Sequence, residues 1–287
     1  MKLLRFERAG QPVLGVLRGD EIVPLDGLKA KYPTMLSIIA GGSEALAAVG
    51  AFVEAAKDTV PLAGAGLLAP LERPGKYLAI GMNYRKHIAE AERLGVAAPK
   101  QQYWFNKQTS CIVGPFDATE PGVTEKLDYE AELCVVIGKA AKGVSEADAP
   151  KHVFGYMVCN DISARDWQTH SPTFTMGKSF DTHGPVGPWI VTADEIKDPH
   201  GLQLRCLVNG EVRQSSDTSH MVYNVWQQIA YLSTAFTLEP GDLLATGTPE
   251  GVGAGMQPPQ FLQPGDVVRC EIDGIGAIEN KVAGKAV

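Results

Sequence analysis

The chain has 287 residues, of which 45% are hydrophobic and 21% charged, and a net charge of −7. That composition fits a globular protein with a large core, and the length suits one large domain with a smaller appendage. The acidic balance repels phosphate backbones and argues against nucleic acid as a partner, and no run of eighteen consecutive apolar residues marks a membrane span.

Five scattered cysteines, Cys111, Cys134, Cys159, Cys206 and Cys270, form no C-x-x-C pair. They read as reduced, buried thiols rather than a disulfide framework, and they place the expected location in the cytoplasm. Charges at Lys2, Arg5, Glu7 and Arg8 stand where a signal peptide would be apolar.

Residues 2–25 predict short strands joined by turns at Ala9-Gly10-Gln11-Pro12 and Arg18-Gly19-Asp20. Residues 34–57 predict a helix interrupted at Gly41-Gly42, with Ser43 as the cap of its second half. A Gly/Ala/Pro-rich stretch from 61 to 74 suggests a boundary between a small α+β unit, 1–68, and a catalytic unit, 69–287. Beyond it come short apolar runs cut by Gly and Pro: Tyr77–Ile80, Leu133–Ile137, Val153–Cys159, Trp189–Thr192, Leu202–Val208, Leu243–Thr246 and Val267–Ile272. Their length predicts a β-rich, mixed α/β domain. Two helices interrupt it, one after Asn83 through Glu92 and one over Met221–Phe236, whose apolar stripe is core packing.

Five constellations carry candidate chemistry. Glu130 and Glu132 are two apart at the start of an apolar strand, so they share a face, roughly 6.6 Å apart along the axis. They are either a solvated strand face or two ligands of a divalent cation completed by Asp161. His87 and Glu90, three apart on a helix, are either a surface pair or a general base with its orienting carboxylate. After Asp161 follow Arg165 and Gln168, where the arginine either clamps a substrate carboxylate or serves an ordinary helix salt bridge. Met176-Gly177-Lys178-Ser179 is not a phosphate-binding loop, because Pro172 stands where that motif needs glycine, so Lys178 is either a lone cation near the site or a surface lysine. The loop Thr246–Gly253 either offers Thr248 and backbone N–H groups to an anion or is structural.

The order of these motifs is similar to that of the fumarylacetoacetate hydrolase superfamily: G-x-N-Y-x-x-H-x-x-E at 81–90, D-Y-E-A-E-L at 128–133, N-D-I-S-A-R-D-W-Q at 160–168, G-K-S-F-D at 177–181 and T-G-T-P-E-G-V-G at 246–253. The likeness covers residues 70–285 and looks closest to the branch that includes acylpyruvate and 2,4-diketo acid hydrolases. The resemblance implies a twisted β-sheet roll behind a small N-terminal domain, usually homodimeric. It places Mg²⁺ or Mn²⁺ (Ca²⁺ fits the same donors) on Glu130, Glu132 and Asp161. It makes His87 and Glu90 a lid dyad, and puts Lys178, Arg165, Gln168 and Thr248 beside a small 2-keto or 2,4-diketo acid. The expected reaction is hydrolysis of a C–C bond to a 2-keto acid and a carboxylic acid. Oxaloacetate decarboxylation and keto–enol isomerisation use the same site, and a purely structural cation is the competing reading from another class.

Overall fold

A computed structural model describes residues 1–284. The chain opens on an antiparallel meander of β1 (Lys2–Arg8), β2 (Gln11–Arg18) and β3 (Glu21–Pro24). Helix α1 (Met35–Ala55) starts at Thr34, which exchanges side-chain-to-backbone hydrogen bonds with Ser37 in a capping box. The Gly41-Gly42 interruption is a bend within this helix, because Gly42 takes a φ of +55° that costs glycine little. By length and composition α1 could cross a bilayer, yet its Met35, Ile38, Ile39, Ala45 and Val49 pack into the core.

β4 (Val60–Pro61) and β5 (Leu67–Leu68) then pair with β3 and β1. β6 (Tyr77–Gly81) leads through α2 (Arg85–Arg93) to its antiparallel partner β7 (Tyr103–Lys107). After β8 (Ile112–Val113) and β9 (Leu127–Asp128) come the central antiparallel pair β10 (Ala131–Ile137) and β11 (Val153–Asn160). β12 (Ser163–Ala164) runs into two one-turn helices, α3 (Arg165–Gln168) and α4 (Thr175–Lys178). Then follow β13 (Gly184–Thr192), the hairpin β14 (Gln203–Val208) and β15 (Glu211–Asp217), α5 (Val225–Ala235), β16 (Leu243–Ala245), β17 (Val267–Ile272) and β18 (Gly276–Lys281).

The main sheet has the order β4-β3-β2-β1-β13-β11-β10-β16-β6-β7, with β5 on β1 and β8 on β13. Only the β16–β6 and β13–β8 pairings are parallel. A second sheet, β15-β14-β17-β18, is antiparallel throughout. Alternation along β10 ties the layers together. Leu133, Val135 and Ile137 enter the core shared with β14, β17 and α5, while Cys134 and Val136 enter the core shared with α1. Both faces are therefore covered, which explains why this strand reads as an uninterrupted apolar run.

The result is the mixed, sheet-rich α/β fold that the motif order implies. The N-terminal unit is woven into it. β1 pairs with β13 (Lys2 opposite Val191, Leu3 opposite Ile190), and Leu3, Val16 and Ile38 share one core with Met157 and Val186.

Candidate active site

The central strand pair brings the carboxylates together. Glu130 immediately precedes β10 and Asp161 immediately follows β11, so antiparallel pairing puts both at one end of the sheet. The Asp161 N–H donates to the Glu130 carbonyl at 2.9 Å, and the Glu130 N–H donates to the Asn160 side-chain oxygen at 2.9 Å. Glu132 lies one pleat further in. Glu130, Glu132 and Asp161 are 5%, 1% and 1% exposed, and one oxygen from each lies within 4.8 Å of the others. Neither glutamate is on a solvated strand face.

Burying so much negative charge demands compensation. Lys178 Nζ bridges Glu130 Oε2 at 2.7 Å and Asp161 Oδ2 at 2.8 Å. Lys107 Nζ donates to Asp161 Oδ1 at 2.6 Å and to the carbonyls of Lys178 and His183 at 2.5 and 3.0 Å. Arg165 holds Asp128 through Nε at 2.8 Å, and its Nη2 lies 2.7 Å from Glu130 Oε1 as an ion pair out of line for a hydrogen bond. For Glu130, burial pushes the carboxyl up, but Lys178 and then Arg165 outweigh it and hold the group at about 2.

Glu132 has less help: Lys178 favours its ionised form but is outweighed. Its Oε2 accepts the Gly247 N–H at 2.7 Å, and among the described residues no cationic side chain forms an ion pair with it. Burial first, then Asp161, Cys159 and Glu130, drive its carboxyl well above the usual carboxylate range.

This imbalance is the test of whether a cation fits. Lys107, Lys178 and Arg165 are paired with Asp128, Glu130 and Asp161, and none of the three pairs with Glu132, which lies beside Glu130 and Asp161. A divalent cation supplies what Glu132 lacks, and three hard oxygens without cysteine or histidine favour Mg²⁺, Mn²⁺ or Ca²⁺ over zinc.

The dyad comes from α2. Asn83, fully buried, anchors the start of this helix by donating to the Tyr223 and Thr246 carbonyls at 3.0 and 2.8 Å. His87 Nδ1 is 2.9 Å from Glu90 Oε2, and Glu90 Oε1 accepts the Gly251 N–H at 3.1 Å. The carboxylate is thus held from behind and fixes Nδ1 of the imidazole, leaving Nε2 for the cavity.

That cavity, of about 280 Å³, is lined by all the candidate residues except Asp161: His87, Glu90, Glu130, Glu132, Arg165, Gln168, Lys178 and Thr248. Gln168 and Thr248 face it in supporting positions. Gln168 Oε1 accepts from Arg165 Nη1 at 3.0 Å. The Thr248 hydroxyl donates to the Ala131 carbonyl at 3.0 Å and accepts from Gln214 at 2.8 Å.

Three features escape a reading of the sequence. Lys107 is one, although it stands two after Phe105 on a strand whose alternation puts both inward. A lysine on the buried face of an alternating strand is the available signal. Asp128 is the second, accepting from Arg165 and from the Gly253 and Ala254 N–H groups at 2.7 and 3.0 Å. The third is the target of the glycine-rich loop. Its amides at Gly247, Gly251 and Gly253 bind the protein's own Glu132, Glu90 and Asp128.

With this geometry in hand, similarity to known proteins can be placed. Residues 76–283 match the family model for the fumarylacetoacetate hydrolase C-terminal domain, and residues 1–70 match a model described as Rv2993c-like, N-terminal. A mitochondrial oxaloacetate tautomerase of Xenopus laevis is 42% identical over 290 residues, spanning 98% of this chain and 90% of that protein. A fumarylacetoacetate hydrolase from psychrophilic Exiguobacterium antarcticum has a TM-score of 0.87 at 38% identity, covering 99% of this chain and 100% of that one. Maleylpyruvate hydrolase from Sphingobium sp. SYK-6, in complex with manganese(II) and pyruvate, has a TM-score of 0.84 at 32% identity over 100% of both chains.

Proposed function

The chain belongs to the fumarylacetoacetate hydrolase family, and from that membership we propose that it catalyses keto–enol tautomerisation of a small 2-oxo acid, the reaction class of the oxaloacetate tautomerases it resembles along nearly its whole length. The observation that carries this reading is the His87–Glu90 dyad. Among the described residues that line the cavity, His87 is the one imidazole, a side chain that can both take up and return a proton. Glu130 is bound by Lys178 and Arg165, and the Tyr103 hydroxyl donates to the Pro172 carbonyl at 3.0 Å. A single proton carrier matches a reaction that relocates a single proton.

A divalent cation on Glu130, Glu132 and Asp161 supplies Lewis acidity toward the oxygens of a 2-oxo acid. The chain does the rest. Lys178, with one N–H beyond its two carboxylates, and Arg165 Nη2, with no aligned acceptor, are the donors left for the substrate carboxylate. His87 Nε2 takes a proton from carbon 3, and the C–H electron pair moves to form the C2–C3 double bond as the C2 carbonyl becomes the enol oxygen. Glu90 stabilises the imidazolium formed in between. The imidazolium returns the proton to the enol oxygen, or to carbon 3 in the reverse direction.

C–C hydrolysis, the reaction expected from the motif order, is the second reading. It is favoured by the structural likeness to a maleylpyruvate hydrolase, and it requires His87 to activate a water instead. Enol decay of oxaloacetate, followed in the ultraviolet with Mg²⁺ or Mn²⁺ against a protein-free metal control, separates the two. The proposal expects acceleration by the protein with every carbon–carbon bond intact. A rate equal to the control, together with cleavage of an acylpyruvate, would replace it by hydrolysis.

A further inference from the structure

The cavity's lining is of two chemistries. One part, its floor, is ionic, as described. The other, its apolar wall, is Met82, Leu94, Tyr103, Phe105, Phe174 and Val252, with the Lys178 ammonium 5.1 Å from the Phe105 ring. Arg165 and Lys178 are the only cationic side chains among the described residues lining it, both pair with carboxylates of the floor, and the donors they have left are those assigned above to the substrate's own carboxylate. The wall is partly open: Leu94 is 50% exposed and Tyr103 37%. Apolar surface left beside a polar reaction centre, and continuous with it, marks a place for the apolar part of a ligand.

A second, independent observation concerns the backbone. Among the described residues, five that are not glycine have positive φ: Ala9, Met82, Phe174, Thr182 and Asn209. Asn209 and Ala9 sit in hairpin turns, where such a conformation is routine. Met82 and Phe174, at φ +55° and +59°, both line this cavity. A bulky side chain in the left-handed region is an outlier that persists only where its surroundings over-determine it, and such outliers cluster at ligand clamps.

Phe174 is held in that way. Its ring meets Tyr103 edge-on at 5.3 Å and Phe105 at 6.0 Å, and its carbonyl accepts the Lys178 N–H at 3.2 Å. The same residue therefore closes the turn that presents Lys178 and forms part of the apolar wall.

We propose that this wall is a subsite for an uncharged, apolar substituent, aryl or branched alkyl, on carbon 3 of the 2-oxo acid, with Met82 and Phe174 as its specificity-determining residues. The proposal rests on the 2-oxo acid reading of the floor. A second substrate carboxylate at this position would lose water against apolar carbon and find no cation, whereas a ring or branched chain would bury surface at no such cost.

The test is calorimetric titration of the Mg²⁺-loaded protein with pyruvate, phenylpyruvate and oxaloacetate, alongside their tautomerisation rates. Phenylpyruvate should bind about tenfold more tightly than pyruvate, as burial of a ring face implies, while oxaloacetate gains nothing over pyruvate. In Phe174→Ala, and separately in Met82→Ser, the phenylpyruvate-to-pyruvate ratio should fall to within about twofold. The wild-type comparison stands even if one variant fails to fold. Equal wild-type affinities for pyruvate and phenylpyruvate, a gain with oxaloacetate instead, or no binding of any of the three would overturn the subsite. The predicted affinity order without turnover of any of them would overturn the tautomerase reading and leave the subsite standing.

Discussion

Glu132 carries the sharpest electrostatic conflict in the molecule. It is 1% exposed, it has one backbone donor, and two other carboxylates lie beside it. Its folded-state pKa is raised above the unfolded value, so without metal the folded state holds the proton more tightly than the unfolded one. Metal-free stability should therefore fall as pH rises above the ordinary glutamate value of about 4.3, and stay low at neutral pH. Glu132→Gln removes that penalty. Its metal-free Tm should exceed that of the wild type at pH 7, its decline with pH should flatten, and the Tm gain on adding Mg²⁺ or Mn²⁺ should largely disappear. A metal-free Tm no higher than wild type, with a full metal-induced gain, would show that Glu132 is not a ligand.

At this scale the sequence is informative where a residue belongs to a spaced motif and silent where it does not. Glu130, Glu132, Asp161, His87, Glu90, Arg165, Gln168, Lys178 and Thr248 all stand in motifs, and the structure gathers all of them but Asp161 along one cavity, with Asp161 behind Glu130 and Lys178. Arg165 shows the limit. Spacing reveals a guanidinium near the site, but only three dimensions reveal that Asp128 and Glu130 already hold it. Lys107 and Asp128 act through long-range packing, 54 and 37 residues away from the partners they neutralise, so local pattern places Lys107 on a buried face and Asp128 in a motif without revealing either partner.

Among the elements, α2 and the glycine-rich loop act as one unit. A Cβ on Gly255 would collide with the Glu90 carboxylate, and the loop amide at Gly251 already grips that carboxylate from the other side. Gly255→Ala should therefore displace Glu90 and with it His87, while leaving the buried cores untouched. Misplacement of this kind typically costs about 10²-fold. Turnover should drop by that order with the denaturation midpoint nearly unchanged, and a variant with full turnover would uncouple the loop from the dyad. The apolar strands are legible because pattern and burial coincide, whereas the one buried residue of α2 is Glu90, a member of a spaced motif. The strands β7, β15 and β18 are not legible: Glu211–Asp217 and Gly276–Lys281 carry charged or small residues on the outer face, and Tyr103–Lys107 puts its charged residue on the buried face, so none shows the longer apolar run of its neighbours.

For the whole molecule, the composition break at 61–74 suggests two units, and the two family models also divide near it. Packing runs across that break. Removal of 1–68 would unpair the β13 residues Ile190 and Val191 and uncover Val136, Met157 and Val186 of the shared core. A chain of 69–287 should accordingly aggregate or stay unfolded, since an open edge beside exposed core is an aggregation site. A soluble, cooperatively unfolding fragment would show that the seam is dispensable.

The same integration sets the site. The main sheet delivers the carboxylates, α2 delivers the His87–Glu90 pair, and a loop from β16 joins them. The central claim is that this assembly moves one proton at carbon 3 of a 2-oxo acid through His87. The most direct measurement is deuterium incorporation at carbon 3, followed by NMR in ²H₂O with Mg²⁺, comparing wild type with His87→Ala. The account predicts rapid exchange by the wild type without carbon–carbon cleavage, and a loss of about 10²–10⁴-fold in the variant, the usual worth of a positioned base. Wild-type exchange no faster than the metal-only control, or exchange undiminished in His87→Ala, would contradict it.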